Sequence, residues 1–466
     1  MPQGAFIVID LGKTLSKVSL WSRAGEMIDR RVRPAVLCEA DGLRRLDAEA
    51  IGTWLLETLG EFSAHPVEAI IPVGHGAGIA ALDGGRLAFP PLDYEQALPA
   101  DLLAQYRAAR DPFRRTGSPP LPDGLNFGAQ LFWLDRLYPE VMARATLLPW
   151  AQYWAWFLTG VPVSEVTSLG CHSDLWFPVE ECFSHLAEEQ GWARRFAPLA
   201  RAGEAVGTLL PALAERTGLS PQVRVLAGLH DSNAALLAAR GFAEIATNEA
   251  TVLSTGTWFI AMRLTAEVID LASLPEARDC LVNVDAYGQP VPSARFMGGR
   301  EIESVIGIDT RRVDIRPDQP ALLAAVPRVL EQGAMLLPTL HSGCGPFPAS
   351  VGRWIAEPED WFEKRAAMCL YAALVAESSL RLIGTQELLL VEGRFAEAEV
   401  FVRALASLRP DLAVYTANAH KDVSFGALRL VDPTLIPQGS LVRVQPLAED
   451  LMPYRTQWEM HLENRA

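Results

Sequence analysis

The chain has 466 residues, of which 50% are hydrophobic and 21% charged, a composition typical of a globular protein with more than one domain. Its formal net charge of −15 at pH 7 argues against nucleic acid and anionic membranes as partners, because both select basic surfaces. The six cysteines are scattered, no apolar stretch is long enough to span a bilayer, and the chain opens on a strand-like run instead of a leader, so we expect a cytoplasmic protein.

Apolar runs of strand length alternate with longer segments of helical period, which predicts an α/β fold. In the first half of the chain we expect a β-hairpin over 6–10 and 18–21, a strand over 69–73 closed by a glycine-rich turn over 74–78, a tight turn over 83–85, a surface loop over 112–124, a helix over 127–138, a strand over 223–228 and a helix over 234–239.

A second cycle of the same pattern begins near residue 250. Its expected elements are a strand–turn–strand segment over 250–262, a helix over 364–383, a strand over 387–391, a helix over 397–408 and an ordinary tail from about Pro446. The cycle opens, like the chain itself, with a strand, a small polar loop containing Gly and Thr, and a second strand. This indicates a weak internal duplication, with a boundary near Gly241 and domains over 1–241 and 242–466.

The first candidate motif, Asp10-Leu11-Gly12-Lys13-Thr14, directly follows a predicted strand. Gly12 would let the backbone approach a phosphate, and Thr14 offers a hydroxyl donor. Asp10 at the strand end is suited to hold a magnesium ion through water, because magnesium prefers few carboxylates and keeps its waters. A simple hairpin turn explains the same sequence equally well, since Asp-x-Gly is common in turns.

Two better-known phosphate motifs do not fit this chain. A P-loop requires a glycine five positions before Gly12, where Ile7 stands, and a helix after the loop where a strand is predicted here. A dinucleotide fingerprint beginning at Gly74 would place its third glycine on Ile79. The sequence therefore predicts neither a P-loop nor a dinucleotide-binding turn.

The second candidate is Gly228-Leu229-His230-Asp231-Ser232, where a buried strand ends on the side on which α/β sheets bind ligands. Phosphoryl transfer needs the acceptor positioned, the phosphates neutralised and the hydroxyl proton accepted, and one aspartate suffices for the last task. The alternative is that Asp231 or Ser232 only caps the following helix. His230 is interpreted as a structural histidine or a pocket wall.

The third candidate is Ser254-Thr255-Gly256-Thr257, again between two strands. One such loop is weak evidence of function. Two loops of hydroxyl groups and glycine, one in each half, favour a triphosphate clasped between two domains.

Taken in order, these three motifs resemble those of the FGGY carbohydrate kinases. The resemblance continues with Glu392-Gly393-Arg394-Phe395-Ala396, similar to the family's glycine-rich adenosine motif, and with Ser424-Phe425-Gly426-Ala427. It therefore covers nearly the whole chain. The Gly-x-His-Asp form of the second motif is most similar to the branch that contains rhamnulose and fuculose kinases.

The resemblance implies two ribonuclease-H-like, actin-like domains with an active site in the cleft between them, and ATP and Mg²⁺ as cofactors. It implies Asp231 as the catalytic base and Asp10 as the magnesium residue. The residues implied at the nucleotide are Gly12, Thr14, Thr255, Gly256 and Thr257 at the phosphates and Gly393, Arg394 and Phe395 at the adenosine. The chain departs from the family at Lys13, which offers a further phosphate contact, and at Glu392 and Arg394, which stand where glycines are common.

The sugar contacts are expected in the first domain. Polar residues near predicted turns and helix starts are the candidates: His75, Asp93, Tyr94, Asn126, Gln130, His172 and His230. Each also has a structural explanation as a turn stabiliser, surface residue, helix cap or core histidine. Four tryptophans are instead interpreted as core residues, namely Trp133, Trp150, Trp154 and Trp156.

The expected reaction is transfer of the ATP γ-phosphoryl group to a terminal hydroxyl of a small sugar, either a ketopentose or a 6-deoxyketohexose. No nucleic acid or membrane partner is expected, and the sequence leaves the oligomeric state open, a homodimer being one option. Two other classes of protein remain as alternatives. One is an actin-like ATPase, and the other is a sugar-binding regulator that has lost catalysis.

Overall fold

The computed structural model describes residues 4–309, 312–417 and 423–463. The strands are β1 (Ala5–Leu11), β2 (Leu15–Ser22), β3 (Met27–Pro34), β4 (Leu37–Ala40), β5 (Leu43–Leu46), β6 (Val67–Gly74), β7 (Ile79–Asp83), β8 (Arg86–Leu87), β9 (Thr146–Pro149), β10 (Trp176–Phe177), β11 (Cys182–Phe183), β12 (Ala205–Thr208), β13 (Arg224–Leu226), β14 (Leu229–His230), β15 (Ala250–Thr255), β16 (Phe259–Leu264), β17 (Cys280–Val284), β18 (Pro290–Phe296), β19 (Met335–Leu337), β20 (Arg353–Ile355), β21 (Leu388–Gly393), β22 (Ala413–Ala417) and β23 (Leu441–Arg443).

The α-helices are α1 (Ala48–Glu61), α2 (Ala100–Ala109), α3 (Phe113–Thr116), α4 (Phe127–Leu137), α5 (Pro139–Met142), α6 (Trp150–Thr159), α7 (Val166–Leu169), α8 (His185–Glu189), α9 (Pro211–Thr217), α10 (Asp231–Ala239), α11 (Ala243–Ala246), α12 (Gly298–Ile306), α13 (Gln319–Gln332), α14 (Trp361–Leu382), α15 (Glu399–Leu408), α16 (Val423–Leu428) and α17 (Met452–Glu463). Short 3₁₀ helices cover Leu271–Ser273, Glu276–Arg278, Arg316–Asp318 and Arg394–Glu397.

The chain divides into two compact units. The first consists of the described residues up to Gly241, Val282–Pro290 and the described part of Asp422–Pro437. The second consists of Phe242–Leu281, the described part of Val291–Lys421 and the described residues from Gln438 onwards. Each unit therefore contains segments that are far apart in the sequence.

The sheet of the first unit has the order β3-β2-β1-β6-β13-β12, with β14 also paired to β6. Strands β1, β2 and β3 form an antiparallel meander, and β6 and β13 run parallel to β1. Strand β1 is buried at every position, as an apolar central strand covered on both faces should be. Its side chains alternate between two cores: Ile7 and Ile9 pack in one, Phe6 and Val8 in the other.

The sheet of the second unit repeats this plan. Its order is β17-β18-β16-β15-β21-β22-β23, with β15, β16 and β18 antiparallel and β21 and β22 parallel to β15. Strands β18, β16, β15, β21, β22 and β23 therefore correspond in order and direction to β3, β2, β1, β6, β13 and β12. The predicted internal duplication is confirmed in the topology.

The prediction of a surface loop over 112–124 is wrong. Phe113 and Leu121 are buried, α3 begins at Phe113, and Ser118 is only 2% exposed. The segment is drawn inward by polar contacts that its Pro- and Gly-rich composition does not reveal: the Asn126 side chain binds Ser118, Pro119 and Leu121. The segment is therefore buried because side-chain hydrogen bonds hold it in place, although its composition is typical of a surface loop.

The prediction of an ordinary tail from Pro446 is also wrong. Helix α17 buries Tyr454 and Trp458. The Tyr454 hydroxyl donates to the carbonyl of Ala334, and the Trp458 indole donates to the carbonyl of Leu336 in β19.

The interpretation of four tryptophans as core residues is confirmed. Trp150 and Trp154 lie in one apolar core, Trp156 packs against that core, and Trp133 lies in a second core. Among the described residues, none of the helices combines the length and the hydropathy needed to cross a membrane.

A glycine sets the distance between α10 and α16 in the first unit. A Cβ atom on Gly426 would lie 1.7 Å from the carbonyl oxygen of Ala234. We expect Gly426→Ala to lower the free energy of unfolding by ~3 kcal/mol, because the two backbones must separate. The matched control is Gly60→Ala in α1, where the nearest atom would be 3.6 Å away, and we expect it to stabilise by about 0.5 kcal/mol. Urea unfolding followed by circular dichroism measures both, and equal stabilities for the two variants would contradict the expectation.

Candidate active site

Three parallel strands of the first sheet end side by side, and charged candidates lie at those ends. Strands β1 and β6 run parallel, as do β6 and β14, with Asp10 paired to Val73 and His230 paired to Gly74. Crevices outside the carboxyl ends of such strands are where α/β proteins bind ligands. The sheet therefore brings Asp10 and the His230–Asp231 dipeptide to one edge, on either side of β6.

Asp231 lies at the start of α10 beside His230. Its Oδ1 is 3.0 Å from His230 Nε2, and 30% of its side chain is exposed. The helix-cap position belongs to His230, whose side chain makes no capping bond. Asp231 is thus a partly exposed carboxylate that is oriented by a neighbouring imidazole.

His230 is 6% exposed and is held from several sides. Its Nε2 also lies 3.6 Å from the Sγ of Cys171, and its Nδ1 lies 3.4 Å from the side-chain amide nitrogen of Asn233. Its backbone amide donates to the hydroxyl of Thr167 at 2.9 Å. The imidazole that orients Asp231 is therefore fixed in both position and ring orientation.

The electrostatics of these groups favour a charged pair. Burial alone would lower the pKa of His230, but Cys171 and Asp231 raise it well above its ordinary value. Burial raises the pKa of Asp231, yet the charge and hydrogen bond of His230 more than offset this and hold it below its ordinary value. Burial likewise raises the pKa of the Cys171 thiol, while His172 and His230 lower it to a net value of about 6. At neutral pH the site contains an imidazolium next to a carboxylate.

Asp10 is buried, and its Oδ2 accepts a hydrogen bond from Lys17 Nζ at 2.9 Å. The two residues are directly opposite each other in the β1–β2 hairpin, so the hairpin register creates the pair. Burial raises the pKa of Asp10, Lys17 lowers it, and the charge of Asp231 raises it further. The Asp10 and Asp231 carboxylates therefore act on each other, and a cation would relieve their repulsion.

The turn after β1 places its residues in different surroundings. The Gly12 amide closes the turn with a backbone hydrogen bond, and Thr14 is exposed. Lys13 lies beside the predicted sugar residues: its Nζ binds Asp93 Oδ1 and is 4.4 Å from the centre of the Tyr94 ring. A phosphate contact by Lys13 would have to compete with this carboxylate.

Asp93 is fully buried between two cations. Arg44 Nε lies 2.6 Å from its Oδ2, opposite the Lys13 contact. Lys13 Nζ is also 3.4 Å from Glu95 Oε2. The cluster contains two cationic and two anionic side chains, so its charge is balanced.

His75 lies in the turn after β6 and is 7% exposed. Its ring is 5.3 Å from the Tyr94 ring and 6.2 Å from the Trp150 ring, and its Nδ1 has no hydrogen-bond partner among the described residues. Burial lowers the pKa of His75 to about 4, against the raising effect of Asp231. A neutral His75 with an unpartnered ring nitrogen can serve as a hydrogen-bonding group for a ligand.

The next residue of this turn has to be glycine. A Cβ atom on Gly76 would lie 2.6 Å from the Sγ of Cys171 and 2.9 Å from Nε2 of His230. The turn after β6 therefore packs directly onto the imidazole that orients Asp231.

Three other predicted sugar residues make hydrogen bonds to protein groups. Asn126 binds Ser118, Pro119, Leu121 and His172. Gln130 Nε2 donates to the carbonyls of Ala77 and Gly124. The Nδ1 of His172 lies 2.9 Å from the carbonyl of Leu125. In this structure these side chains connect the segments around the turn after β6.

In the second unit, β15 and β21 run parallel and end together, with Thr255 opposite Gly393. The Thr255 hydroxyl donates to the carbonyl of Glu392 and accepts from the backbone amide of Phe395. Gly393 has a φ of 87°, and a Cβ atom there would lie 2.3 Å from the carbonyl oxygen of Thr255. The two candidate nucleotide loops are thus joined through their backbones, and Phe395 is buried against Phe259.

The start of α12 closes on the same loop. A Cβ atom on Gly299 would lie 2.0 Å from the carbonyl oxygen of Gly256, and Thr257 follows at intermediate exposure. Arg394 reaches α12, where its Nη1 lies 2.9 Å from Oε1 of Glu303. Backbone groups and small residues dominate this loop cluster.

Comparisons with known proteins decide the family. A family model for the C-terminal domain of FGGY carbohydrate kinases matches residues 247–438. A carbohydrate kinase from Novosphingobium aromaticivorans, known from its crystal structure, is 72% identical with a TM-score of 0.95, over 98% of this chain and 99% of that one. The chain belongs to the FGGY carbohydrate kinases.

Other relatives of this kinase are more distant. An L-fuculokinase from Escherichia coli (strain K12) is 30% identical over 149 residues, a match that spans only 30% of this chain and 29% of the L-fuculokinase. A xylulose kinase from Lactobacillus acidophilus is 14% identical with a TM-score of 0.82, over 99% of this chain and 98% of that one. A glycerol kinase from Plasmodium falciparum is 12% identical with a TM-score of 0.82, over the same shares. At these identities the structural likeness shows the fold alone.

These findings confirm the predicted α/β fold with two actin-like domains and the predicted class of carbohydrate kinase. Sequence reasoning missed three residues of the kinase's candidate site, namely Lys17 beside Asp10, and Cys171 and Asn233 beside His230. The register of the β1–β2 hairpin would have pointed to Lys17, and the spacing of Asn233 three residues after His230 at a helix start would have pointed to Asn233. Cys171 comes from a distant segment, and no local pattern indicates it.

The Thr255 hydroxyl offers a test of how the loops of this kinase are joined. Thr255→Val leaves the amide of Phe395 without its acceptor, and we expect a loss of ~2 kcal/mol in the free energy of unfolding. Thr257→Val, two residues further along and less buried, is the matched control, for which we expect a change within ~0.5 kcal/mol. Urea unfolding compares the two, and an unaffected Thr255→Val would show that its hydroxyl does not join the loops.

Proposed function

We propose that this kinase transfers the γ-phosphoryl group of ATP to a hydroxyl of a small neutral sugar, with Asp231 as the base that accepts the hydroxyl proton. The observation that carries the proposal is the placement of Asp231: a partly exposed carboxylate at the carboxyl edge of the sheet, held at 3.0 Å by the imidazole of His230. A base must reach its proton first and have a suitable pKa second.

The lowered pKa of Asp231 fits this role. It keeps the carboxylate ionised at neutral pH, so the base is always ready to accept a proton. In a loose phosphoryl-transfer transition state the attacking hydroxyl is little activated beforehand, so a weak, well-placed base suffices. Orientation by His230 is therefore worth more than high basicity.

For the nucleotide, we propose that the phosphates contact backbone amides of the Gly12 turn and of the Gly256–Thr257 loop, with Thr14 and Thr257 as hydroxyl donors. The Thr255 hydroxyl already makes two backbone contacts, so its proposed part is to hold the loop. Gly393 and Arg394 remain the proposed adenosine neighbours, and Phe395 would contribute through its backbone because its side chain is buried.

The described residues fit a magnesium ion brought in with ATP. They contain no cluster of three or more His, Cys, Asp or Glu side chains able to hold a metal alone. Mg²⁺ commonly binds one or two carboxylates and otherwise waters and substrate phosphates. Asp10, through water, supplies such a carboxylate, and the ion would neutralise charge on the phosphates.

For the sugar, we propose a pocket formed by His75, Tyr94, Asp93 and His230, with Asn126, Gln130 and His172 holding its walls. Because Lys13 and Arg44 are already balanced by Asp93 and Glu95, the pocket has no surplus positive charge for a sugar acid or sugar phosphate. The partial similarity to an L-fuculokinase and the Gly-x-His-Asp motif support a ketopentose or 6-deoxyketohexose, phosphorylated at a terminal hydroxyl. We further propose a cytoplasmic enzyme, consistent with its six free cysteines, that is monomeric or a homodimer.

Substitution of the base tests the proposal. Asp231→Asn should reduce kcat by about 10²- to 10⁴-fold, because general-base catalysis is lost, while ATP still binds. Coupled ADP-release assays with ketopentoses, 6-deoxyketohexoses, polyols and sugar acids would compare it with the wild type, and calorimetry would measure binding of a non-hydrolysable ATP analogue. Asp29→Asn, at an exposed ion pair with Arg31 in the same unit, is the control.

Sugar-independent ATP turnover in the wild type would instead support the actin-like ATPase, and sugar binding without turnover would support the regulator.

The pH profile should reveal the His230–Asp231 pair. Because His230 is what holds the pKa of Asp231 down against burial, His230→Asn should raise that pKa. The acid limb of the kcat profile should then move to higher pH. The control is His185→Asn, at an exposed histidine of the same unit. An unchanged acid limb in His230→Asn would contradict the assignment of the limb to this pair.

A further inference from the structure

Glu165 is a buried acid that the proposed chemistry does not use. The residue is 0% exposed, and its Oε2 accepts hydrogen bonds from the backbone amide of Thr167 at 3.0 Å and from the Thr167 hydroxyl at 2.5 Å. Its Oε1 makes no hydrogen bond of normal geometry to any described residue. Short polar residues are the usual caps of a helix such as α7, so capping alone does not explain a buried glutamate here.

The Thr167 hydroxyl connects this acid to the site. Because its hydrogen is donated to Glu165, its lone pair is directed to the backbone amide of His230, which donates to it at 2.9 Å. Asp231 is the next residue in the chain. We propose that Glu165 is a positioning residue: through the Thr167 hydroxyl it fixes the peptide of His230, and thereby the direction in which the Asp231 carboxylate points.

The charge of Glu165 adds a second effect. Burial raises the pKa of Glu165 to about 7, although the Thr167 bonds and the charge of His230 lower it. His230 on β14 is the charged group that faces it, and Arg201, on the segment paired with Ser164, is exposed. Above neutral pH an ionised Glu165 supports the protonated form of His230.

Ionisation of the buried Glu165 should lower the stability of the folded protein. The pKa of Glu165 in the folded protein is above its ordinary value of 4.5, so its contribution to stability is fully present below that value and is lost as the pH rises through about 7. Glu165→Gln has no proton to lose. We therefore expect the Tm of Glu165→Gln to rise relative to the wild type between pH 6 and pH 8.5, by a few degrees.

The experiment uses the full chain with five substitutions. Glu165→Leu and Thr167→Val break the chain of hydrogen bonds, whereas Thr167→Ser and Glu165→Gln, whose amide oxygen still accepts, keep it. Thr159→Val is the matched control, since Thr159 is also buried and its hydroxyl also both donates and accepts, in α6. We expect kcat to fall about 10²-fold in Glu165→Leu and Thr167→Val with the sugar KM unchanged, because misplacement of the reacting group acts on turnover. Thr167→Ser and Glu165→Gln should keep kcat near the wild-type value.

The inference rests on the proposed role of Asp231, and the two can fail separately. If Asp231→Asn kept normal turnover, the proposed function itself would fail. If Asp231→Asn were inactive but Glu165→Leu and Thr167→Val kept wild-type kcat and lost only stability, as expected of Thr159→Val, Glu165 would be merely structural. Should Glu165→Leu not fold, the comparison of Thr167→Val with Thr167→Ser decides the matter, and equal kcat values for those two would overturn the inference.

Discussion

The contact between His230 and Asp231 is the interaction on which the rest of the first unit's site depends. A buried imidazolium is costly unless negative groups meet it, and here the Asp231 carboxylate and the Cys171 thiolate do so. The carboxylate gains in turn from its position in the first turn of α10, where the helix dipole favours negative charge. The pair lies where β14 ends and α10 begins, so both elements hold its backbone.

The backbone segments of this unit pack closely because glycines stand at the points of contact. The turn after β6 can approach the imidazole only because Gly76 has no side chain, and α16 can approach α10 only because Gly426 has none. In the second unit, Gly393 and Gly299 let backbone segments meet around the Thr255 loop in the same way. The two sheets therefore share one topology but differ at their strand ends. Charged side chains lie at the strand ends of the first sheet, and hydroxyl and backbone groups lie at those of the second.

Local sequence patterns predicted those features of the fold that depend on residues close together in the chain. The apolar runs located β1, β6 and β15, and the polar residues directly after them marked the strand ends that carry the motifs. What the sequence could not show were contacts between distant segments. The partner of Lys13 is Asp93, 80 positions away, and the inward course of the 112–124 segment depends on Asn126 and its buried hydrogen bonds. The composition of this segment indicated an exposed loop, whereas contacts with distant residues bury it.

The buried ionisable groups around the site of the first unit lower its stability, so other parts of the unit must compensate. Asp10 and Glu165 each lose hydration on folding, and neither gains enough from its partners to make burial of its charge favourable by itself. The compensation lies in the apolar cores on the two faces of the sheet, where Trp150 and Trp154 pack edge to face under the turn that carries His75. The candidate site, which is rich in buried charge, therefore depends on the aromatic core that lies beneath it. Substitutions in that core should then weaken the fold, while those at the edge should change the chemistry.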